Sequence, residues 1–208
     1  MAWAPDYITL EDIREILAIE DDPDVADDGV IERAIAAASR AIDRHCCRQF
    51  GKVDEPQARV YTARWSRSRG AWLVPIDDMM TLDGFAAAAD RDGDGVYETE
   101  LDPVIARPRN AVERGYAWTE LLIPALAVGQ PTGAEGDVQV TALFGWTAVP
   151  TAVEQACQLQ TTRLVIRKDA PFGVAGSPNS GSEMRLLARV DPDVAVTLRA
   201  YRRRVRVG

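Results

Sequence analysis

The stretch DVQVTALFGWTAVPTAVEQACQLQTTRLVIRK, Asp137–Lys168, changes character in its middle, and that change decides what kind of fold the chain makes. Asp137–Trp146 is rich in β-branched and aromatic residues, as a strand is. From Thr151 onward the apolar residues follow helical spacing instead: Val153, Ala156, Cys157, Gln160, Leu164 and Val165 trace one face that ends at Arg167 and Lys168. TAVE, Thr151–Glu154, has the form of a capping box. The spacing predicts a helix over 152–168 that follows directly on a strand.

Working outward, the β texture extends back to Pro56. The short runs ARVYTARW, AWLVPI, MTLDGF, GVYETEL and AWTELLI are separated by Gly, Asp and Pro, which predicts a small antiparallel sheet or barrel over 56–146. Before it the sequence is helical. Thr9 and Asp12 resemble a cap and a first-turn acid, and Leu10, Ile13, Ile16 and Leu17 recur at helical spacing, so a short helix is expected over 10–19. After the acidic linker EDDPDVADDG, Asp28 is placed to cap a second helix over 29–49. Its buried face is expected to be Ile31, Ala34, Ile35, Ala38, Ala41, Ile42 and Cys46, with Gly51 as its stop. Residues 169–183 have no periodicity and read as a mobile loop. After the apolar run MRLLARV, DPDVAVTLRAYRRR opens with Asp191 as cap and Pro192 at the first helical position, so a terminal helix with a basic end is expected. The expected class is α+β.

With 208 residues, 47% hydrophobic and 27% charged, the chain has the composition of one or two globular domains. No apolar run reaches the length of a membrane-spanning helix. The start, MAWAPDYITLED, lacks the basic and apolar regions of a secretory signal, so folding in a cytoplasm is expected. Three cysteines, two of them adjacent, give no disulfide framework. A net charge of −8 argues against broad binding to nucleic-acid phosphates. The charge is unevenly placed: residues 1–30 hold ten acidic residues against Arg14 alone, while the chain closes on LRAYRRRVRVG. That asymmetry points to contact between copies or with a partner.

Three features of the sequence bear on chemistry. DRDGDGVYE, Asp90–Glu98, places Asp90, Asp92 and Asp94 at alternate positions with Gly95 after them, as a calcium loop does, and a calcium-dependent binding module is one alternative. The twelfth position, however, is Leu101 rather than glutamate, and no amphipathic helix flanks the loop. A hairpin tip with Gly93 and Gly95 at positive φ fits better, and no metal site is assigned. His45, Cys46 and Cys47 are the only starting point for a thiol or zinc enzyme. Neighbours on a helix point about 100° apart, and even with Cys157 the set lacks a second histidine, so Cys46 reads as core. No phosphate loop, dinucleotide fingerprint or hydrolase elbow is present, so no catalytic residue and no cofactor are assigned, and the protein reads as a non-enzyme. The third feature is the arginine-rich end. Arg199, Arg202, Arg203, Arg204 and Arg206, with Tyr201 among them, exceed what helix capping needs and read as a docking segment for an acidic protein surface.

The order of these elements resembles the head-to-tail connector, or adaptor, proteins of tailed bacteriophages and gene transfer particles. YITLEDIREIL and VIERAIAAASRAIDRHCCRQFG are similar to the family's paired N-terminal helices. Phe144–Gly176 is similar to its signature of an aromatic and glycine, VP, a helix with a basic end and a PFGV-like loop. Arg189–Arg203 looks like its C-terminal segment, and the β-rich middle looks like the insert of longer members, where a DTDGDG-like turn also occurs. The resemblance implies a helical connector core over 1–55 and 147–190, an inserted β-rich subdomain over 56–146 and a basic docking segment over 191–208. It implies a structural virion protein that forms a ring at the head-tail interface, commonly matched to the twelve-fold portal. Its partners would be the portal protein, a stopper or tail-completion protein and copies of itself, with DNA passing through without sequence-specific binding and no membrane involved.

Overall fold

A computed structural model describes residues 4–17, 28–166, 174–175, 184–185 and 192–203. Most of the acidic linker, most of the 169–183 segment, the Asp191 cap, Arg204 and Arg206 fall outside these residues. The described part is α+β, with four α-helices and two four-stranded antiparallel sheets. It divides into two compact units, Phe50–Ala148 and Ala4–Gln49 together with Val149–Gly208.

In the helical unit, α1 is Leu10–Ile16, α2 Asp28–Cys46, α3 Thr151–Ile166 and α4 Pro192–Leu198. The cap expected at Thr9 is present: its hydroxyl accepts from the Asp12 amide at 3.3 Å, and the Asp12 carboxylate accepts from the Thr9 amide at 2.7 Å. Asp28 is not a cap. It is the first residue of α2, and both of its oxygens lie 2.7 Å from Arg14 Nη2. The buried face of α2 is Ile31, Ala34, Ile35, Ala38, Ser39, Ile42 and Cys46, so Ser39 takes the place expected for Ala41. Ser39 suits a buried site because its hydroxyl is used twice, accepting from the Tyr7 amide at 3.2 Å and meeting Cys157 Sγ at 3.5 Å. On α3 the buried residues are Val153, Ala156, Cys157 and Thr161, whereas Gln160, Leu164 and Val165 are only half-buried. That helix begins at Thr151 itself, because the Pro150 carbonyl already receives the Val153 and Glu154 amides at 2.7 and 3.2 Å.

α2 stops at Cys46, short of the expected Gln49, and Gly51 is not its stop. Cys47 adopts φ +52, and the Arg48 amide turns back to the Asp43 carbonyl at 3.3 Å, the six-to-one bond of a Schellman ending with a cysteine in the glycine position. Cys46 is fully buried, and burial pushes its thiol up to about 12; Cys157 is also buried and raised, while Cys47 is exposed.

The β unit contains β1 Gln57–Tyr61, β2 Arg64–Ser66, β3 Ala71–Met79, β4 Ala86–Ala89, β5 Thr99–Glu100, β6 Ile105–Arg107, β7 Trp118–Pro124 and β8 Val138–Ala142. They form two antiparallel sheets, ordered β1-β8-β4-β5 and β2-β3-β7-β6. Val74, Ile76, Met79, Leu121 and Ile123 from one sheet and Ala87, Ala89, Val138, Val140 and Ala142 from the other share a single core. At about 1.5–3 kcal/mol for each fully buried large aliphatic side chain, this core is the main source of the unit's stability.

Several runs read differently in three dimensions. ARVYTARW is two strands in two sheets, broken at Thr62–Ala63. Buried Asp137 holds the corner, accepting from the amides of Ala63 (2.9 Å), Thr132 (2.8 Å) and Gly133 (2.6 Å), while Thr62 Oγ1 accepts from the Gly136 amide (2.9 Å). MTLDGF is a turn, with Phe85 N donating to Leu82 O. Ala86–Ala89 is a strand despite alanine's helical preference, because it is hydrogen-bonded on both edges and tucks Ala87 and Ala89 into the core. β6, bracketed by cis Asp102–Pro103 and Arg107–Pro108, was not foreseen. Nor was the short ribbon of β9 Val174–Ala175 with β10 Met184–Arg185.

The chain enters and leaves the β unit side by side. Lys52 bridges Gly145, Trp146 N donates to Gly51 O at 2.8 Å, Val53 N donates to Phe144 O at 2.9 Å, and the Phe50 and Trp146 rings lie 5.1 Å apart. Gly145, at φ +117, has no room for a side chain: a Cβ there would lie 1.9 Å from Gly51 O. A register shift in β3 accompanies burial of Asp78, whose carboxylate accepts from Trp146 Nε1 at 2.8 Å and whose carbonyl accepts from Gly145 N at 2.6 Å.

Three outcomes follow for stability and reactivity. Asp137→Ala strands three amides and should cost about 3 kcal/mol or more in urea unfolding. Gly145→Ala should cost well over the roughly 1–2 kcal/mol of a positive φ alone, whereas Gly70→Ala, at φ +56 in open space, should cost only that. A thiol reagent should titrate Cys47 rapidly in the native protein and all three cysteines after denaturation.

Candidate functional site

The first candidate set, His45, Cys46 and Cys47, is not assembled into a site. The three project from the last turn of α2 into different surroundings: His45 is half-buried, Cys46 lies in the core and Cys47 is exposed. Cys157 is occupied with Ser39 and with Thr161, 3.9 Å away. Among the described residues, the group of three or more His, Cys, Asp or Glu that comes within reach of one ion is Asp90, Asp92 and Asp94, their ligand oxygens within 4.8 Å of one another.

Those aspartates sit at the tip of the β4–β5 hairpin, where the expected turn chemistry is found. Asp90 accepts from the Gly93 amide at 2.7 Å with one oxygen and from the Gly95 amide at 2.9 Å with the other, and Asp94 accepts from Val96 N at 2.8 Å. Gly93 and Gly95 have φ of +81 and +86. The Gly95 amide, ahead of the others, holds the Asp90 carboxyl below its ordinary range. Leu101, at the position where a calcium loop has its bidentate glutamate, is buried in the core. The carboxylates of Asp90 and Asp94 serve the turn.

The basic segment is held by the helical unit. Val194 and Leu198 of α4 are buried, a 3₁₀ turn at Arg199–Tyr201 continues the helix, and Arg202 is extended. The Arg203 amide then donates to the Cys46 carbonyl at 2.8 Å. That carbonyl belongs to the last turn of α2, whose oxygens have no partner within the helix and carry the negative end of its dipole, so an amide and nearby cations are favoured there. Arg199 and Arg202 are exposed, and Tyr201 and Arg203 are half-buried. The segment therefore carries its charges on a fixed mount as far as Arg203.

A groove at the other end of α2 had no signature in the sequence. It has a volume of about 510 Å³ and is lined by Asp6, Ile8, Leu10, Glu32, Arg33 and Ile35, among others. The only advance sign was that Ile8 and Leu10 flank the capping Thr9. The chain leading into α1 is fixed there by Arg40, whose guanidinium donates to the Ala4 carbonyl at 2.7 Å and to the Pro5 carbonyl, and by the Tyr7 hydroxyl donating to Asp43. Burial raises the Asp43 carboxyl, against the opposing effects of Tyr7 and Arg40.

No helix among the described residues is long and apolar enough to cross a membrane. No curated protein matches the chain. Residues 7–63, which hold α1, α2 and the entry into the β unit, match the family model described as phage gp6-like head-tail connector protein. The match covers α1 and also α2, whose last turn receives the Arg203 amide.

Proposed function

We propose that the protein is a head-to-tail adaptor of the virion: a ring beneath the portal that lengthens the DNA exit channel and offers the platform for a stopper or tail-completion protein. The observation that carries this reading is the family match over α1 and α2, since that family is one of structural phage connectors. The helical parts, 1–55 and 147–190, would be the connector core and 56–146 an inserted β-rich subdomain.

In this reading the exposed guanidinium groups of Arg199 and Arg202, with Tyr201, Arg203, Arg204 and Arg206, dock on acidic groups of the portal protein. Exposed ion pairs are individually worth about 1 kcal/mol or less, but one docking segment on every copy of a ring links many such contacts. The net charge of −8 keeps the particle from gripping DNA phosphates, so the genome passes without sticking.

The test must spare the fold. Removing residues 191–208 would take away buried Val194 and Leu198 and the Arg203–Cys46 bond, so loss of binding would be uninformative. The double substitution Arg199→Glu, Arg202→Glu touches only exposed side chains. It should leave the melting temperature unchanged and weaken binding to the purified portal protein at least about tenfold. Undiminished binding would sink the docking role. Negative-stain microscopy of the adaptor with portal should show a ring.

A further inference from the structure

The groove and the basic segment lie at opposite ends of one helix. The segment is pinned to the Cys46 carbonyl by the Arg203 amide, while the groove is built on Glu32, Arg33 and Ile35. About ten to fourteen residues of α2 separate them, roughly 15–20 Å at the helical rise. Arg202, one residue from the pin, is held at the Cys46 end of the helix, so its guanidinium does not reach its own copy's groove.

The two surfaces are nonetheless complementary. The lining of the groove is partly apolar, from Ile8, Leu10 and Ile35. Asp6 and Glu32 are exposed and line it too, and Glu11 and Glu15 are exposed on the adjoining α1. Against these four carboxylates stands one exposed cation, Arg33, since Arg14 is occupied with Asp28. Among the described residues, neither Asp6 nor Glu32 belongs to an ion pair. The segment offers what such a groove would take: the exposed cations Arg199 and Arg202 with the ring of Tyr201 between them.

We infer that the acidic groove beside α1 receives the Arg199–Arg203 segment of a second copy of this chain. Because the two patches differ and occupy opposite ends of α2, the contact is heterologous: each copy gives at one end and receives at the other. Such a contact closes into a ring when the rotation allows. The inference goes beyond the docking reading and shares only the basic segment with it. For any one segment the two contacts are alternatives: the groove holds it between free copies, and the portal takes it over when the copies assemble beneath it.

The experiment is a charge swap read by analytical ultracentrifugation at about 0.05 M salt, where exposed charges are weakly screened. The wild-type chain should self-associate, and about 0.5 M salt should reverse it. Asp6→Lys with Glu32→Lys, or Arg199→Glu with Arg202→Glu, should each weaken association at least tenfold. An equimolar mixture of the two double variants should recover a complex, because each then offers the surface that the other lacks; recovery also shows that both variants are folded. Portal binding separates this inference from the docking reading: the groove variant should keep it and the segment variant should lose it. A wild-type chain that stays monomeric at low salt would overturn the inference while leaving portal docking intact. Association indifferent to both pairs of substitutions would overturn it as well.

Discussion

The approach of two backbone segments at Gly145 is the constraint on which the rest of the β unit depends. A side chain there would collide with the Gly51 carbonyl, so only glycine lets the entering strand at Gly51–Val53 lie against the leaving strand at Phe144–Trp146. Their contact is reinforced by the Trp146 indole on buried Asp78 and by the ring of Phe50. Because entry and exit coincide, the unit can be closed by its own hydrogen bonds. The helical unit, in turn, is assembled from two pieces of chain separated by about a hundred residues.

Much of this was legible in the sequence where period and capping agreed. Thr9 with Asp12, the apolar stripe of α2 and the switch from strand to helix before Thr151 each rest on local rules that the fold respects. What was not legible depended on distant partners. Ser39 buries its hydroxyl because Tyr7 and Cys157 come to meet it. Four alanines become a strand because β8 and β5 lie on either side. ARVYTARW breaks in two because a carboxylate 74 residues away, Asp137, takes the amide of Ala63. α2 ends early because Cys47 accepts a positive φ, a conformation that composition assigns to Gly51.

The candidate sites divided along the same line. The Asp90 turn could be read from its glycines and from the misplaced Leu101, since both are local. The basic segment could be read as charge, but its mount could not: the hydrogen bond from Arg203 to Cys46 joins residues far apart in the chain. The acidic groove was invisible because it needs the approach of the chain before α1 to the first turns of α2. The two candidate surfaces thus lie toward opposite ends of α2.

The bond between Arg203 and Cys46 also has a mechanical meaning. Tension applied beyond residue 203 does not merely peel a loose end. It is borne first by that bond and by the seating of Val194 and Leu198, and it passes from there into the C-terminal turn of α2. That turn belongs to α2, which lies within the residues matched by the family model, so a pull on the tether is shared with that helix.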